Sequence, residues 1–249
     1  MKCYVDAMGQ TLVLAIGLSL CLASRAPSQC VPASAKTRVS TAANVPFEDE
    51  IEQFEAADKT NPPAKGGVLF VGSSSIRLWP NLKADFPGAN VLQRGFGGSE
   101  LWQVVHYVPR IVLPYCPKRI VVYAGDNDLA AGRSPEQILK DYRDFVGVVH
   151  RSLPSTSIAF VAIKPSASRW ALAEKMRRTN QLVRDYSFRD PRLVYIDAFT
   201  PMLGPNGRPR PDFFVADSLH MNAAGYALWR DLLTAFVYGR EPIHAKAHD

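Results

Sequence analysis

Apolar positions along this chain switch repeatedly between two periods. Gly67-Val68-Leu69-Phe70-Val71 is an unbroken run that stops at Gly72 and three hydroxyls, Ser73, Ser74 and Ser75. Short continuous runs of this kind, partly β-branched and bounded by turn residues, predict strands buried on both faces. The signature recurs at residues 90–94, 119–124, 157–163 and 192–197. Between these runs the spacing is helical. Residues 47–59 place Phe47, Ile51 and Phe54 on one side, with acids early, where they suit the positive end of a helix dipole. Leu101, Val104, Val105, Val108, Ile111 and Val112 mark a second helix, with Ser99 as its predicted N-cap and Glu100 in its first turn. Ser134-Pro135-Glu136 opens a third, buried through Ile138, Tyr142, Phe145, Val148 and Val149. Residues 171–186 form a basic amphipathic helix. Asn222 begins the last one, with Tyr226, Leu228, Trp229, Leu232, Leu233 and Phe236 inward.

Strands alternating with helices predict a parallel sheet covered on both faces. One three-layer α/β domain, with a sheet of about five strands, accounts for residues 47–239. No internal repeat and no second domain is visible. Residues 11–23 are uncharged and apolar, with Lys2 upstream. That run is shorter than the roughly 20 residues of a membrane span and fits the core of a secretory signal peptide. The expected organisation is a signal peptide over 1–24, a disordered Ala/Ser/Thr/Pro linker over 25–46, the domain, and a polar tail over 240–249. The expected location is secreted or periplasmic, with no membrane span left after cleavage; the alternative reading of the run is a single uncleaved anchor. Removal of the peptide takes Cys3 and Cys21. Cys30 and Cys116 remain, and the place of Cys30 in the linker gives no ground to expect that they pair.

Composition narrows the partners. The net charge is +6, but the basic residues are scattered and not interleaved with aromatics, so no nucleic-acid partner is expected. No CxxC, HExxH or GxxxxGK[ST] pattern occurs, so neither a metal site nor a P-loop is expected.

Parallel strands share one carboxyl edge, where open α/β sheets bind ligands. Ser74 follows the first strand, Gly98 the second and Asn127 the third. A serine at such a turn is a cap or a nucleophile. Asp217 and His220 lie just before the last helix, close enough for the carboxylate to reach the imidazole. Acyl transfer needs such a set. A histidine takes the serine proton, a carboxylate fixes the histidine, and preorganised donors hold the oxyanion. The backbone N–H groups of Ser74 and Gly98 and the side-chain amide of Asn127 can supply three donors.

Four stretches, Gly72-Ser73-Ser74, Gly95-Phe96-Gly97-Gly98, Gly125-Asp126-Asn127-Asp128 and Asp217-Ser218-Leu219-His220, resemble the four blocks of the SGNH (GDSL-type) hydrolases, in the same order. The resemblance implies a flavodoxin-like sandwich and a serine esterase or acylhydrolase without a cofactor. It implies Ser74 as nucleophile, Asp217 and His220 as its partners, and Gly98 and Asn127 as completing the oxyanion hole. Ser73 stands where the family block has aspartate, which leaves the register among Ser73, Ser74 and Ser75 to geometry.

Other polar residues have plainer readings. Asp126 and Asp128 are read as turn residues satisfying their own backbone. His106 and His150 are read as surface or capping histidines. Lys164 and Arg169 follow the fourth strand at the same rim, where they are candidates to bind an anionic or sugar part of a substrate. The predicted substrate is a small-molecule or polymer ester, an acetyl or short acyl ester of a carbohydrate. A lipid acylhydrolase or thioesterase is the nearest alternative, and a non-catalytic carbohydrate-binding protein or a flavodoxin-like nucleotide binder the more distant ones. Residues 199–214 are the predicted mobile loop.

Overall fold

The computed structural model describes residues 45–240. The predicted signal peptide, nearly all of the predicted linker and most of the predicted tail lie outside those residues. Five parallel strands form one sheet: β1 (Val68–Gly72), β2 (Val91–Gly95), β3 (Arg119–Tyr123), β4 (Ser157–Val161) and β5 (Leu193–Ile196). Their order is β2-β1-β3-β4-β5. The chain therefore moves one way from β1 to β2 and the other way from β2 to β3. The reversal opens a crevice at the carboxyl ends of β1 and β3, where Gly72 and Tyr123 sit in register.

Register assigns the faces. Val122 pairs with Phe160, so the two side chains share a face, and Tyr123 points to the other. On the first face Phe160 meets Tyr142 of α6 (Pro135–Ser152), ring centroids 5.0 Å apart. There α1 (Glu48–Thr60) packs on α4 (Leu101–Ile111), α4 on α6, and α6 on α7 (Ala173–Ser187). On the second face Tyr123 meets Trp229 of α8 (Ala223–Val237) at 4.9 Å. The short helices α2 (Ser74–Arg77) and α3 (Leu82–Asp85) lie on that side too, joined through Trp79 to Phe70, Phe86, Tyr226 and Trp229. All five residues of β1 are buried, which explains why its sequence is apolar without alternation.

Two details depart from the sequence reading. The N-cap of α4 is Glu100, not Ser99, and its side chain exchanges capping-box bonds with Gln103. The Gly125–Asp128 stretch, expected to be a turn, winds into α5 (Asp126–Ala130). Residues 199–214, the predicted loop, carry two 3-10 turns, Thr200–Met202 and Pro211–Phe213, and the antiparallel bridges Leu203–Pro209 and Phe214–Met221. Cys116 is disulfide-bonded. The other three cysteines lie outside the described residues. Among the described residues no helix is long and apolar enough to cross a membrane.

Candidate active site

The end of β1 turns sharply because it has no room to do otherwise. Gly72 has φ 135°, and a Cβ there would lie 1.9 Å from the carbonyl oxygen of Tyr123. The Ser73 N–H donates to that same carbonyl at 2.9 Å, which sets the three hydroxyls on different courses. Ser73 is fully buried and its Oγ has no hydrogen-bond partner among the described residues. Ser75 is buried, and its carbonyl accepts from Tyr226 Oη at 3.1 Å. Ser74, the first residue of α2, is half-buried, with its Oγ 3.0 Å from His220 Nε2. Of the three, geometry singles out Ser74 as the hydroxyl that meets the imidazole.

His220 is held by its own loop. Its Nδ1 lies 2.6 Å from Asp217 Oδ2, while Asp217 Oδ1 accepts the backbone N–H groups of Leu219 and His220 at 2.8 and 2.9 Å. The hydrogen bond from the His220 ring, reinforced by these two, pushes the Asp217 carboxyl down to about 2. Asn222 then starts α8, accepting from Ala224 and Gly225 and donating to the carbonyls of Asp212 and Phe214. The three residues thus form one hydrogen-bonded line, Ser74 to His220 to Asp217.

Gly98 is exposed and Asn127, on α5, is half-buried, and a Cβ on Gly98 would lie 3.7 Å from Asn127 Nδ2. The Asn127 Nδ2 donates to the Ser99 carbonyl at 3.2 Å, and its Oδ1 accepts from Arg169 Nη2 at 2.8 Å. The loop carrying Gly98 is braced from the amino-terminal helix. The Gly97 N–H donates to Glu50 Oε2 at 3.0 Å, and the Phe47 ring fills the space where a Gly97 Cβ would go. Asp128 braces it from behind, accepting the Leu101 N–H at 2.9 and 3.2 Å. Burial, chiefly, pushes the Asp128 carboxyl up to about 7.

Lys164 is placed differently from its sequence reading. It is 1% exposed, and its Nζ lies 3.3 Å from both Asp126 Oδ2 and Tyr123 Oη. Its ammonium is taken up inside the protein rather than offered to a substrate. Asp126 Oδ2 also faces Arg169 Nη1 at 3.2 Å. Burial is the strongest single influence on Asp126 and opposes its ionisation, yet Lys164 and Arg169 together outweigh it and hold the group below its usual pKa. Neither Asp126 nor Asp128 is merely a turn residue. Asp126 does accept its neighbour's N–H at 3.1 Å, but Asp128 serves a helix that begins 27 residues earlier. His150 Nε2 bonds the Thr156 carbonyl and His106 stacks against Tyr107, so neither joins the line.

A cleft of about 400 Å³ runs between the segment after Ser74 and the start of α8. Leu78, Trp79, Met221 and Tyr226 line it, with Asp85 and Arg230 among its polar groups.

Comparison with known proteins bears on family and fold. The family model described as GDSL-like Lipase/Acylhydrolase family matches residues 67–228. Platelet-activating factor acetylhydrolase IB subunit alpha1 from Bos taurus is 28% identical over 183 residues, covering 70% of this chain and 75% of its own. A solved structure from Streptococcus pneumonia superposes with TM-score 0.69 at 18% identity, covering 76% of this chain and 92% of its own. A GDSL-like lipase from Bacteroides thetaiotaomicron gives TM-score 0.65 at 16% identity, covering 77% and 98%. At these identities the structural likenesses speak for the fold.

Proposed function

Because the chain belongs to the GDSL-like lipase/acylhydrolase family, we propose that it is a serine esterase that removes an acetyl or short acyl group through an acyl-enzyme. The observation that carries the reading is the hydrogen-bonded line from Ser74 Oγ through His220 to Asp217, 3.0 and 2.6 Å long in its two links. His220 Nε2 takes the Ser74 proton as Oγ bonds the ester carbonyl carbon, and the carbonyl π electrons move to its oxygen. Asp217 holds the imidazole tautomer and stabilises the imidazolium. The Ser74 and Gly98 N–H groups and Asn127 Nδ2 face the oxyanion. The C–O bond then breaks, and the leaving alkoxide takes the proton from His220. Water repeats the sequence on the acyl-enzyme and releases the acid.

The short acyl group is supported by the acetylhydrolase among the relatives, and a carbohydrate alcohol by the export signal read at residues 11–23, which also supports a secreted or periplasmic location. A second reading, a longer acyl chain from a lipid, is favoured by the cleft lined by Leu78, Trp79 and Met221. The test is hydrolysis of p-nitrophenyl acetate, butyrate and decanoate by the purified protein beside Ser74→Ala. We expect acetate to be the best substrate and the variant to lose at least about a thousandfold in kcat. Equal rates in the two proteins would remove Ser74 from the chemistry. A decanoate preference would select the lipid reading.

A further inference from the structure

We propose that Arg169 is a positioning residue that fixes the side-chain amide of Asn127 with its Nδ2 toward the oxyanion. The inference rests on the esterase reading above and concerns a residue outside the four blocks. An amide group is nearly symmetric in shape, and only its partners decide which end is oxygen and which is nitrogen. Arg169 can only donate, so its Nη2, 2.8 Å from Asn127 Oδ1, commits the oxygen to that side. Nδ2 must then face the other way. One of its hydrogens meets the Ser99 carbonyl at 3.2 Å, and the second is left for a ligand.

Arg169 is itself anchored. Its Nη1 lies 3.2 Å from Asp126 Oδ2, and Asp126 is fixed in turn by Lys164 at 3.3 Å. Asp126 and Lys164 side chains are 6% and 1% exposed, so the anchor is rigid and poorly screened. Donation into Oδ1 polarises the amide and strengthens its N–H bonds. That effect grows as negative charge develops on the substrate carbonyl, so Arg169 acts on the transition state more than on the bound ester.

The experiment is a double-mutant cycle on p-nitrophenyl acetate hydrolysis with wild type, Arg169→Gln, Asn127→Ala and the double variant, and Ser74→Ala as the blank. For Arg169→Gln we expect kcat to fall by about ten- to a hundredfold with KM changed less than about twofold. In the Asn127→Ala background the same change should cost almost nothing, because Arg169 acts through that amide. Arg169→Lys, which keeps the charge and loses the planar fork, should recover part of the rate. An undiminished effect of Arg169→Gln without Asn127, a rise in KM alone, or no change in kcat would each overturn the proposal. Activity that persists in Ser74→Ala would instead overturn the esterase reading on which it rests.

Discussion

Asp217, bonded to His220, and Asp128, bonded to the start of α4, are both carboxyls of the site's loops, and their surroundings drive them in opposite directions. The Asp217 side chain is 46% exposed, yet hydrogen bonds from His220 and two backbone N–H groups hold its carboxyl down at about 2. The Asp128 side chain is fully buried, and desolvation lifts it to about 7 although it accepts the Leu101 N–H. The difference separates two tasks. In the proposed mechanism, the carboxylate that must stay charged beside a proton-transferring histidine is built into a solvated loop and held by donors, where ionisation costs little. A carboxyl that only fixes the start of a helix is sealed in the scaffold, where its charge is a burden and its oxygen is the useful part.

The sharpest break of this comparison is Asp217→Asn. The carboxamide carries no charge to stabilise the imidazolium, and we expect kcat to fall by about ten-thousandfold. Thermal unfolding should move little, since the side chain is exposed and surface pairs contribute little to stability. A large drop in melting temperature with activity preserved would make Asp217 structural and reverse its assigned role. Asp128→Ala tests the other side. It removes the acceptor of a buried N–H and leaves a small void, for an expected loss of about 3 kcal/mol of stability. Chemical denaturation at mildly acidic pH, where Asp128 largely keeps its proton, measures this without interference from its charge. An unchanged midpoint would show that the start of α4 needs no cap from α5.

Legibility in the sequence follows the same division. The strands and the long helices were readable because a sheet buried on both faces leaves continuous apolar runs, and helices covering it leave stripes. The meeting of Ser74, Asp217 and His220 was readable because topology sends strand ends to one edge and because Asp217 lies three residues before His220. The scaffold of the site was not. Glu50 reaches Gly97 across 47 positions, and Asp128 reaches Leu101 across 27, and no local period marks such pairs. Lys164 misled for a related reason. Its place after β4 is the rim, but a carboxylate 38 residues away turns its chain inward. Glu100 took the cap from Ser99 because Gln103 stands at the third helical position to return the bond.

The finest test asks whether the charge on Asp128 is indeed a burden, and Asp128→Asn isolates it by keeping an acceptor for Leu101 while abolishing titration. The groups facing Asp128 are the Leu101 N–H, Glu100 and Arg133. Its folded pKa, about 7, lies above the usual carboxyl value of 3.8, so between these limits the native state holds a proton that the unfolded chain has released. Stability from this group is then fully present below pH 3.8, falls as pH rises, and levels off above about 7. Carboxylates held below their usual range, such as Asp190 and Asp217, contribute the opposite slope at lower pH, but they are common to both proteins and cancel in the difference. The stability of Asp128→Asn relative to wild type should therefore rise between about pH 5 and 7, by on the order of 2 kcal/mol, and stay constant above. Parallel melting curves for the two proteins across that range would mean that Asp128 is ionised throughout, and that its partners, not burial, govern its charge.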